Sequence, residues 1–357
     1  MDYREDRISA LGVRSLTWHN NRLIDWLDGM SYQLDGTSER FHAGYDKEYD
    51  SAIQSPSGNL AVIYQRLGTQ AMLIDRHKPV RKLTRDPYHA EIYEYPVVFL
   101  QVSKEPELLI HCPTRYLKLE VEAARTGRTR LAPGTSFIKR LRLWFSESDG
   151  RNPEDMFHSR LAISPGGTWL LSAGWIWHPY ETVVLYPIAE ALANPALLDT
   201  STFDFGYPRV ADISAAAFVN DQVLMLISGE YPEDDGEVPE YHDDPLFHSG
   251  PYSIGIYDLV NRHYRSVVKA EETVGTIMPL TERYLLGFYE HPKLFDGTIG
   301  KIIQRWPELN TGTQTSSLLM KPELIPPPIA FDQANQRFAV ADEKGITVIE
   351  LDSHDAA

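Results

Sequence analysis

The densest group of side chains that could bind a metal ion or a charged partner lies between Glu230 and His248. Carboxylate oxygens are the ligands that calcium and similar divalent cations prefer. The spacing does not fit the twelve-residue calcium loop, because a register anchored on Gly236 would place Tyr231 first and His242 last. We therefore interpret the segment as an acidic loop that contacts a basic partner. Its candidate contact residues are Glu233, Asp234, Asp235, Tyr241, His242, Asp243 and Asp244.

A second group concentrates aromatic side chains between two predicted strands, from Trp175 to Tyr180. Aromatic residues at the tips of loops often carry binding energy, because they bury a large area with few rotatable bonds. The same residues also commonly pack between sheets, and both interpretations stay open from the sequence. The candidate binding residues are Trp175, Trp177, His178 and Tyr180.

The sequence lacks the common catalytic signatures. It has no Gly-x-Ser-x-Gly elbow and no His-Glu-x-x-His motif, and its single cysteine, Cys112, lies in a predicted strand. The stretch Gly297–Lys301 has glycines too close together for a phosphate loop and is interpreted as a hairpin turn. These observations predict no cofactor and no metal, and they favour a protein without enzymatic activity.

Composition bounds the class of protein. The 357 residues have a net charge of −16 and are 43% hydrophobic, which allows a large core and disfavours general binding to nucleic acid. No apolar leader follows Met1, and no apolar run is long enough for a spanning helix. One cysteine suits a reducing compartment, so the expected location is the cytoplasm, without membrane insertion.

The elements that position these residues repeat along the chain. A polar turn followed by an apolar strand recurs seven times, at intervals typical of β-propeller blades or slightly longer. The copies begin at His19, Ser55, Lys104, Ser164, Asn220, Thr281 and Asp332. In several copies a third apolar strand and a polar outer strand follow, as a four-stranded blade requires.

Two copies, Ser55–Leu83 and Ser164–Tyr186, have a Ser-Pro-x-Gly turn between their inner strands and resemble degenerate WD40-like β-propellers. Ile74-Asp75 and Tyr257-Asp258 stand nearest to the Trp-Asp pair of that superfamily. The resemblance implies an all-β fold: a single seven-bladed β-propeller over residues 1–357. The predicted blades are 13–45, 50–87, 95–145, 158–206, 212–270, 273–318, and 327–352 together with 7–13.

The last repeat contains three strands, so we expect a strand around Arg7–Val13 to supply the fourth and close the ring. A helix is predicted at 188–198, and long insertions at 125–157, 228–251 and 291–319.

Three functional hypotheses remain. The first is a non-enzymatic protein-binding module or scaffold that uses loops on one propeller face. The second is a metal-dependent hydrolase or lyase with a site in the central channel, for which polar residues near strand ends are the candidates. These are Asp50, His111, His158, Asp212 and Glu290. The third is an acidic immunity-type protein that neutralises a basic toxin or effector.

Overall fold

The structure is a computed structural model that describes residues 2–102, 106–129, 151–177, 180–206, 212–229, 244–316 and 326–352. Regular structure in these ranges is mostly β-strand, arranged as seven antiparallel sheets, six of four strands and one of three. The strands, grouped by sheet, are β2 (Thr17–His19), β3 (Arg22–Asp25), β4 (Met30–Gln33), β5 (Ser38–Arg40); β6 (Ser51–Gln54), β7 (Leu60–Tyr64), β8 (Gln70–Asp75), β9 (Lys78–Thr84); β10 (Val97–Leu100), β11 (Leu108–His111), β12 (Glu120–Ala123), β13 (Arg128–Thr129); β14 (Phe157–Ile163), β15 (Trp169–Ile176), β16 (Tyr180–Pro187); β17 (Ile213–Phe218), β18 (Val223–Ser228), β19 (Ser253–Asp258), β20 (His263–Lys269); β21 (Ile277–Pro279), β22 (Tyr284–Gly287), β23 (Lys293–Asp296), β24 (Lys301–Arg305); and β25 (Ile329–Asp332), β26 (Arg337–Asp342), β27 (Gly345–Leu351), β1 (Tyr3–Ile8).

The hairpin between the first two strands of a blade shows why the repeats fold as they do. In the second blade, Gly58 adopts a φ of +71°, a conformation that costs glycine little. The Ser55 hydroxyl accepts a hydrogen bond from the Leu60 amide at 3.1 Å, which ties the turn to the start of β7. All five residues of β7 are buried, since this strand has a neighbouring blade on each side.

Seven apolar clusters hold the sheets together, one between each pair of consecutive blades. The cluster between the second and third blades, for example, joins Leu60 and Val62 to Val97 and Phe99. Because such clusters link the seventh sheet to the first as well, the sheets form a closed ring. The fold is a seven-bladed β-propeller, as predicted.

Closure of the ring is also confirmed. Strand β1 pairs antiparallel with β27, from Tyr3 opposite Leu351 to Ile8 opposite Ile346. The strand therefore lies farther towards the amino terminus than the predicted Arg7–Val13. Only Ile8 of β1 is fully buried, and the remaining side chains are exposed or half-buried, as suits the outer strand of a blade.

Two other local predictions have definite outcomes. The segment predicted as helix 188–198 forms a helix at Ile188–Ala193 and a 3-10 turn at Pro195–Leu198. The interpretation of 291–319 as a long insertion is wrong, because β23 and β24 lie within it and complete the sixth sheet. These strands have only four and five residues, too few to show a clear hydrophobic period. The predicted hairpin turn at Gly297–Lys301 joins them.

The strand directions define two faces of the ring. The upper face carries the connections from the second to the third strand of each blade and from one blade to the next. Among these are the connections 85–96 and 112–119, and the ends of β15 and β18 lie at the same face. Two further short elements are a single helical turn at Pro245–His248 and a 3-10 turn at Gln333–Asn335.

Candidate functional site

The two segments singled out in the sequence leave the ends of equivalent strands in neighbouring blades. Trp175 lies near the end of β15 and Trp177 directly follows this strand, whereas in the sequence the acidic segment follows β18 of the next blade. The ends of β15 and β18 both lie at the upper face. Trp175 is buried, whereas Trp177 and Tyr180 are 44% and 40% exposed.

The described ranges omit most of the acidic segment and part of the aromatic segment. Glu233, Asp234, Asp235, Tyr241, His242, Asp243 and His178 lie outside the described residues. Asp244 is described and buried, and its carboxylate accepts a hydrogen bond from the Leu246 amide at 3.0 Å. Asp244 thus caps the helical turn Pro245–His248.

Aromatic rings from several connections meet around Trp175. Phe157, the first residue of β14, stacks on Trp175 with ring centroids 3.8 Å apart and planes 6° from parallel. Tyr116 also stacks on Phe157, with ring centroids 4.1 Å apart, and Trp177 meets Phe157 edge-on at 5.6 Å. Offset stacks and edge-on contacts are the arrangements that aromatic rings favour. The cluster is therefore a packed unit with fixed ring positions.

Two further rings extend this cluster outward. Tyr88 and His89 come from the connection 85–96, and their rings lie 6.3 Å and 5.6 Å from Trp177. Tyr88 is 45% exposed. We call the whole group the aromatic patch, made of Tyr88, His89, Tyr116, Phe157, Trp175 and Trp177. Its inner rings are buried and its outer rings face solvent, which is the construction of a binding surface with a rigid base.

Gly174 allows Phe157 and Trp175 to approach each other. A Cβ at Gly174 would lie 1.9 Å from the Phe157 carbonyl oxygen, so no larger residue fits there without movement of a strand. The pairing of β14 with β15 also shifts register between His158 and Arg160. A bulge of this kind re-aims the side chains beside it, and here it lies next to Phe157.

Arg85 fixes the connection that supplies Tyr88 and His89. Its side chain is buried and donates four hydrogen bonds, of 2.6–3.0 Å, to backbone carbonyls. The accepting residues are Gly68, Ala90, Tyr93 and Glu94. The guanidinium also lies 4.4 Å from the Tyr93 ring centroid. Burial lowers the pKa of Arg85, and these acceptors compensate the buried charge.

Tyr116 is tied to the neighbouring segment by a short hydrogen bond. Its hydroxyl donates to Asp155 Oδ1 at 2.5 Å. Burial, followed by the nearby Asp155 carboxylate, raises the pKa of the Tyr116 hydroxyl well above its ordinary value. The phenol therefore stays protonated and keeps its donor role across the physiological pH range.

The five polar candidates for a channel site lie in five different blades, and each has its own local partner. The contacts are Asp50 with the Arg66 amide (2.8 Å), His111 with Glu122 (3.2 Å), His158 with Ser172 (2.8 Å), Asp212 with the Glu181 amide (3.0 Å), and Glu290 with Gly312 through backbone pairing. Within the described ranges, no group of three or more His, Cys, Asp and Glu side chains could hold a metal ion. No helix among the described residues is long and apolar enough to cross a membrane.

Sequence reasoning missed Tyr88, His89, Tyr116 and Phe157 as members of the patch. They come from three places that are distant in the chain, and no local spacing links them. The sequence offered one indication of these residues, namely the aromatic content of two inter-strand segments, around Tyr88 and around Tyr116. Each segment by itself looks like an ordinary loop.

Comparison with known proteins supports the fold. No protein-family model matches the sequence, and no curated protein matches it. A chain in the crystal structure of the mitotic checkpoint complex is similar, with a TM-score of 0.52 and 11% identity over 98% of this chain and 91% of that one. The computationally designed Ika8 protein is similar with a TM-score of 0.47 and 12% identity, over 98% and 100% of the two chains. These similarities concern the fold alone: the chain is a seven-bladed β-propeller.

Proposed function

We propose that the protein is a non-enzymatic binding module that docks a basic segment of another protein on the aromatic patch. The observation that carries this proposal is the stacked base formed by Phe157 and Trp175, with the exposed rings of Tyr88 and Trp177 above it. Such rings lose little conformational entropy on binding, because the packing below already fixes them. A partner side chain placed between them gains contact area at little cost.

Charge favours a basic partner. The connection from β18 to β19, which follows the equivalent strand of the next blade, contains eight carboxylates between Glu230 and Asp244 and no lysine or arginine. The whole chain has a net charge of −16. Carboxylates attract lysine and arginine side chains, and the rings of the aromatic patch can hold the cations of these side chains over their faces.

Structural similarity supports a protein rather than a small molecule as the partner. The similar chain in the mitotic checkpoint complex belongs to an assembly of proteins, and it has the same fold. A propeller also suits this use, since its upper face presents connections from every blade on a rigid ring.

The proposal is tested by site-specific crosslinking in the native cell, with a photo-reactive amino acid in place of Trp177 or Tyr88. We expect the same partner to crosslink from both positions. The purified partner should then lose about tenfold or more in affinity for the Trp177→Ala and Tyr88→Ala variants, measured by calorimetry. Affinity for the wild-type protein should fall as NaCl is raised, because exposed charges are screened.

Ile299 provides the matched control. It is 58% exposed and lies in the turn between β23 and β24, on the opposite face of the ring. A photo-reactive residue at position 299 should not capture the partner, and Ile299→Ala should bind it as the wild type does. The proposal is wrong if positions 177 and 299 capture the same proteins, or if the patch variants bind with unchanged affinity.

A further inference from the structure

A second site lies at the upper mouth of the central channel, away from the aromatic patch. A cavity of about 210 Å³ opens there among residues from five blades. Its polar lining is Arg66, Glu94, Arg160, Thr276, Thr311 and Gln314, and its apolar lining is Phe288, Pro326, Pro327, Ile329 and Phe331. Charged and aromatic walls facing one small space are typical of sites for small molecules.

Glu94 stands at the centre of the polar lining. Its Oε1 accepts hydrogen bonds from Arg160 at 3.1 Å and from Gln314 at 3.2 Å, and lies 3.8 Å from Arg66. Burial by itself would raise the pKa of Glu94, but the charges of Arg160 and Arg66 outweigh it and lower the pKa below its ordinary value. The group is therefore a carboxylate at neutral pH. No described residue donates a hydrogen bond to its Oε2.

Arg66 has unused donors in the same place. Its Nε donates to the Ser51 hydroxyl at 3.0 Å, and its amide donates to Asp50 at 2.8 Å, which fixes the residue at the channel mouth. Neither terminal nitrogen donates a hydrogen bond to a described residue. Arg66 is only 18% exposed, so these donors face the cavity rather than open solvent. A partly desolvated guanidinium with free donors is a strong site for a carboxylate.

Arg160 makes the local charge positive. Its guanidinium is occupied by Glu94, by the Ser316 carbonyl at 2.9 Å and more weakly by the Thr276 hydroxyl at 3.4 Å. Among the residues that line the cavity, two guanidinium groups and one carboxylate give a net charge of one positive unit. A monoanionic ligand neutralises this charge, whereas a cation would be repelled.

The apolar wall defines the rest of the ligand. Phe288 and Phe331 both line the cavity and contact each other, with ring centroids 4.8 Å apart. Ile329 and Phe331 also line a second cavity of about 470 Å³ lower in the channel, so an apolar group can extend past them. The upper cavity is smaller than the usual site for a drug-sized molecule, which limits the polar part of the ligand to a few atoms.

We propose that the channel mouth binds a small organic carboxylate that has an apolar group and a hydrogen-bond donor next to the carboxylate. The ligand carboxylate pairs with the free nitrogens of Arg66. Its donor binds the free Oε2 of Glu94, and its apolar group packs against Phe288 and Phe331. α-Hydroxy acids with apolar side groups have this combination.

The test uses four probes with the full-length protein: mandelate, phenylacetate, benzyl alcohol and acetate. Binding is followed by ligand-observed NMR and quantified by calorimetry. We expect mandelate to bind best and phenylacetate about tenfold more weakly, because phenylacetate lacks the donor for Glu94. Benzyl alcohol lacks the carboxylate and acetate lacks the apolar group, so neither should show measurable binding.

Variants then locate the site. Arg66→Met keeps the length of the side chain and removes its charge, and it should abolish mandelate binding. Arg22→Met is the matched control, since Arg22 is an exposed arginine on the first blade. Phe331 is 41% exposed, so its truncation should be tolerated by the fold. Phe331→Ala should weaken the binding of both mandelate and phenylacetate.

The proposal is overturned if neither mandelate nor phenylacetate gives an NMR signal at millimolar concentration with the folded wild-type protein. It is also overturned if Arg66→Met, or Phe331→Ala where Arg66→Met does not fold, binds mandelate as the wild type does. These results are independent of partner docking, because none of the varied residues belongs to the aromatic patch.

Discussion

His158 is a buried histidine that the fold holds in its neutral form. Its ring is 1% exposed and Nδ1 lies 2.8 Å from the Ser172 hydroxyl. Burial lowers the pKa of His158 from 6.5 to about 4. The unfolded chain therefore takes up a proton at a higher pH than the folded protein. The contribution of neutral His158 to the stability of the folded protein is complete above pH 6.5 and is lost as the pH falls towards 4.

We expect the titration of His158 to lower the free energy of unfolding by about 2 kcal/mol at pH 5 relative to pH 7.5. The measurement is urea unfolding of the wild type and of His158→Asn at both pH values. The variant should lose less stability between the two values than the wild type, by about that amount.

The comparison must be made as a difference between the two proteins, because other groups titrate in the same range. Burial raises the pKa of Asp212 to about 6, so its contribution has the opposite sign and is lost as the pH rises from about 4 to 6. Asp212 is unchanged in the His158 variant. Equal losses of stability in the two proteins would contradict the role of His158.

Individual site residues were predictable only where the sequence places them side by side. Trp177 and Tyr180 stood out because an aromatic run joins two strands, and both are exposed on the upper face. Glu94 and Arg66 gave no such signal. They are 28 residues apart in the sequence, and they come within 3.8 Å because the connection 85–96 packs against the second blade, where the Tyr95 amide donates to the Arg66 carbonyl.

Strand β15 depends on having no side chain at Gly174. In an ordinary strand, replacing glycine by alanine stabilises the protein by about 0.5–1 kcal/mol, because the unfolded chain loses freedom. Here the new methyl group would meet the Phe157 carbonyl oxygen. We expect Gly174→Ala to destabilise the protein by about 2 kcal/mol or more and to separate Phe157 from Trp175.

The readouts are urea unfolding and the near-ultraviolet circular dichroism of the stacked rings. Ala173→Gly, one residue away in the same strand, is the control: it should cost about 1 kcal/mol and leave the aromatic signal unchanged. An increase in stability for Gly174→Ala would show that the two strands do not approach as closely as described.

Elements with a strong apolar period were predictable, and elements without one were misplaced. The inner hairpins of the second and fourth blades lie where their Ser-Pro-x-Gly turns predicted them. By contrast, β1 has the charged sequence Arg4-Glu5-Asp6-Arg7, and the apolar residues after Ile8 drew the prediction towards Val13. Strand β1 is an outer strand with only one fully buried side chain, so the hydrophobic pattern of the sequence is a poor guide to where this strand begins and ends.

Closure through β1 should make the first residues important for the stability of the whole ring. Deletion of residues 1–12 removes six paired residues and the side chain of Ile8, which is fully buried against the first blade. We expect a loss of several kcal/mol, of which Ile8→Ala alone should account for about 2–5 kcal/mol.

Thermal unfolding measures both changes. Arg4→Ala is the control, because Arg4 lies in the same strand, is 59% exposed and pairs only at the surface, where an ion pair contributes about 1 kcal/mol or less. An unchanged melting temperature in the deletion variant would rule out closure by β1.

The arrangement of the blades in a ring was more predictable from the sequence than any single element or site, since seven similar units must stack on each other to bury their apolar faces. The patch and the channel mouth were the least predictable. Each is assembled from short connections whose relative positions follow from the ring and not from any local pattern.

Pairing of β1 with β27 also has a consequence for synthesis of the chain. Tyr3 leaves the ribosome first, and its partner Leu351 follows nearly 350 residues later, an interval of roughly 20–70 s at ordinary rates of translation. During that time the first strand has no partner. Its four consecutive charged residues make it a poor template for pairing with other nascent chains. We therefore expect these residues, which made the strand hard to recognise in the sequence, to protect it from aggregation until the last blade is made.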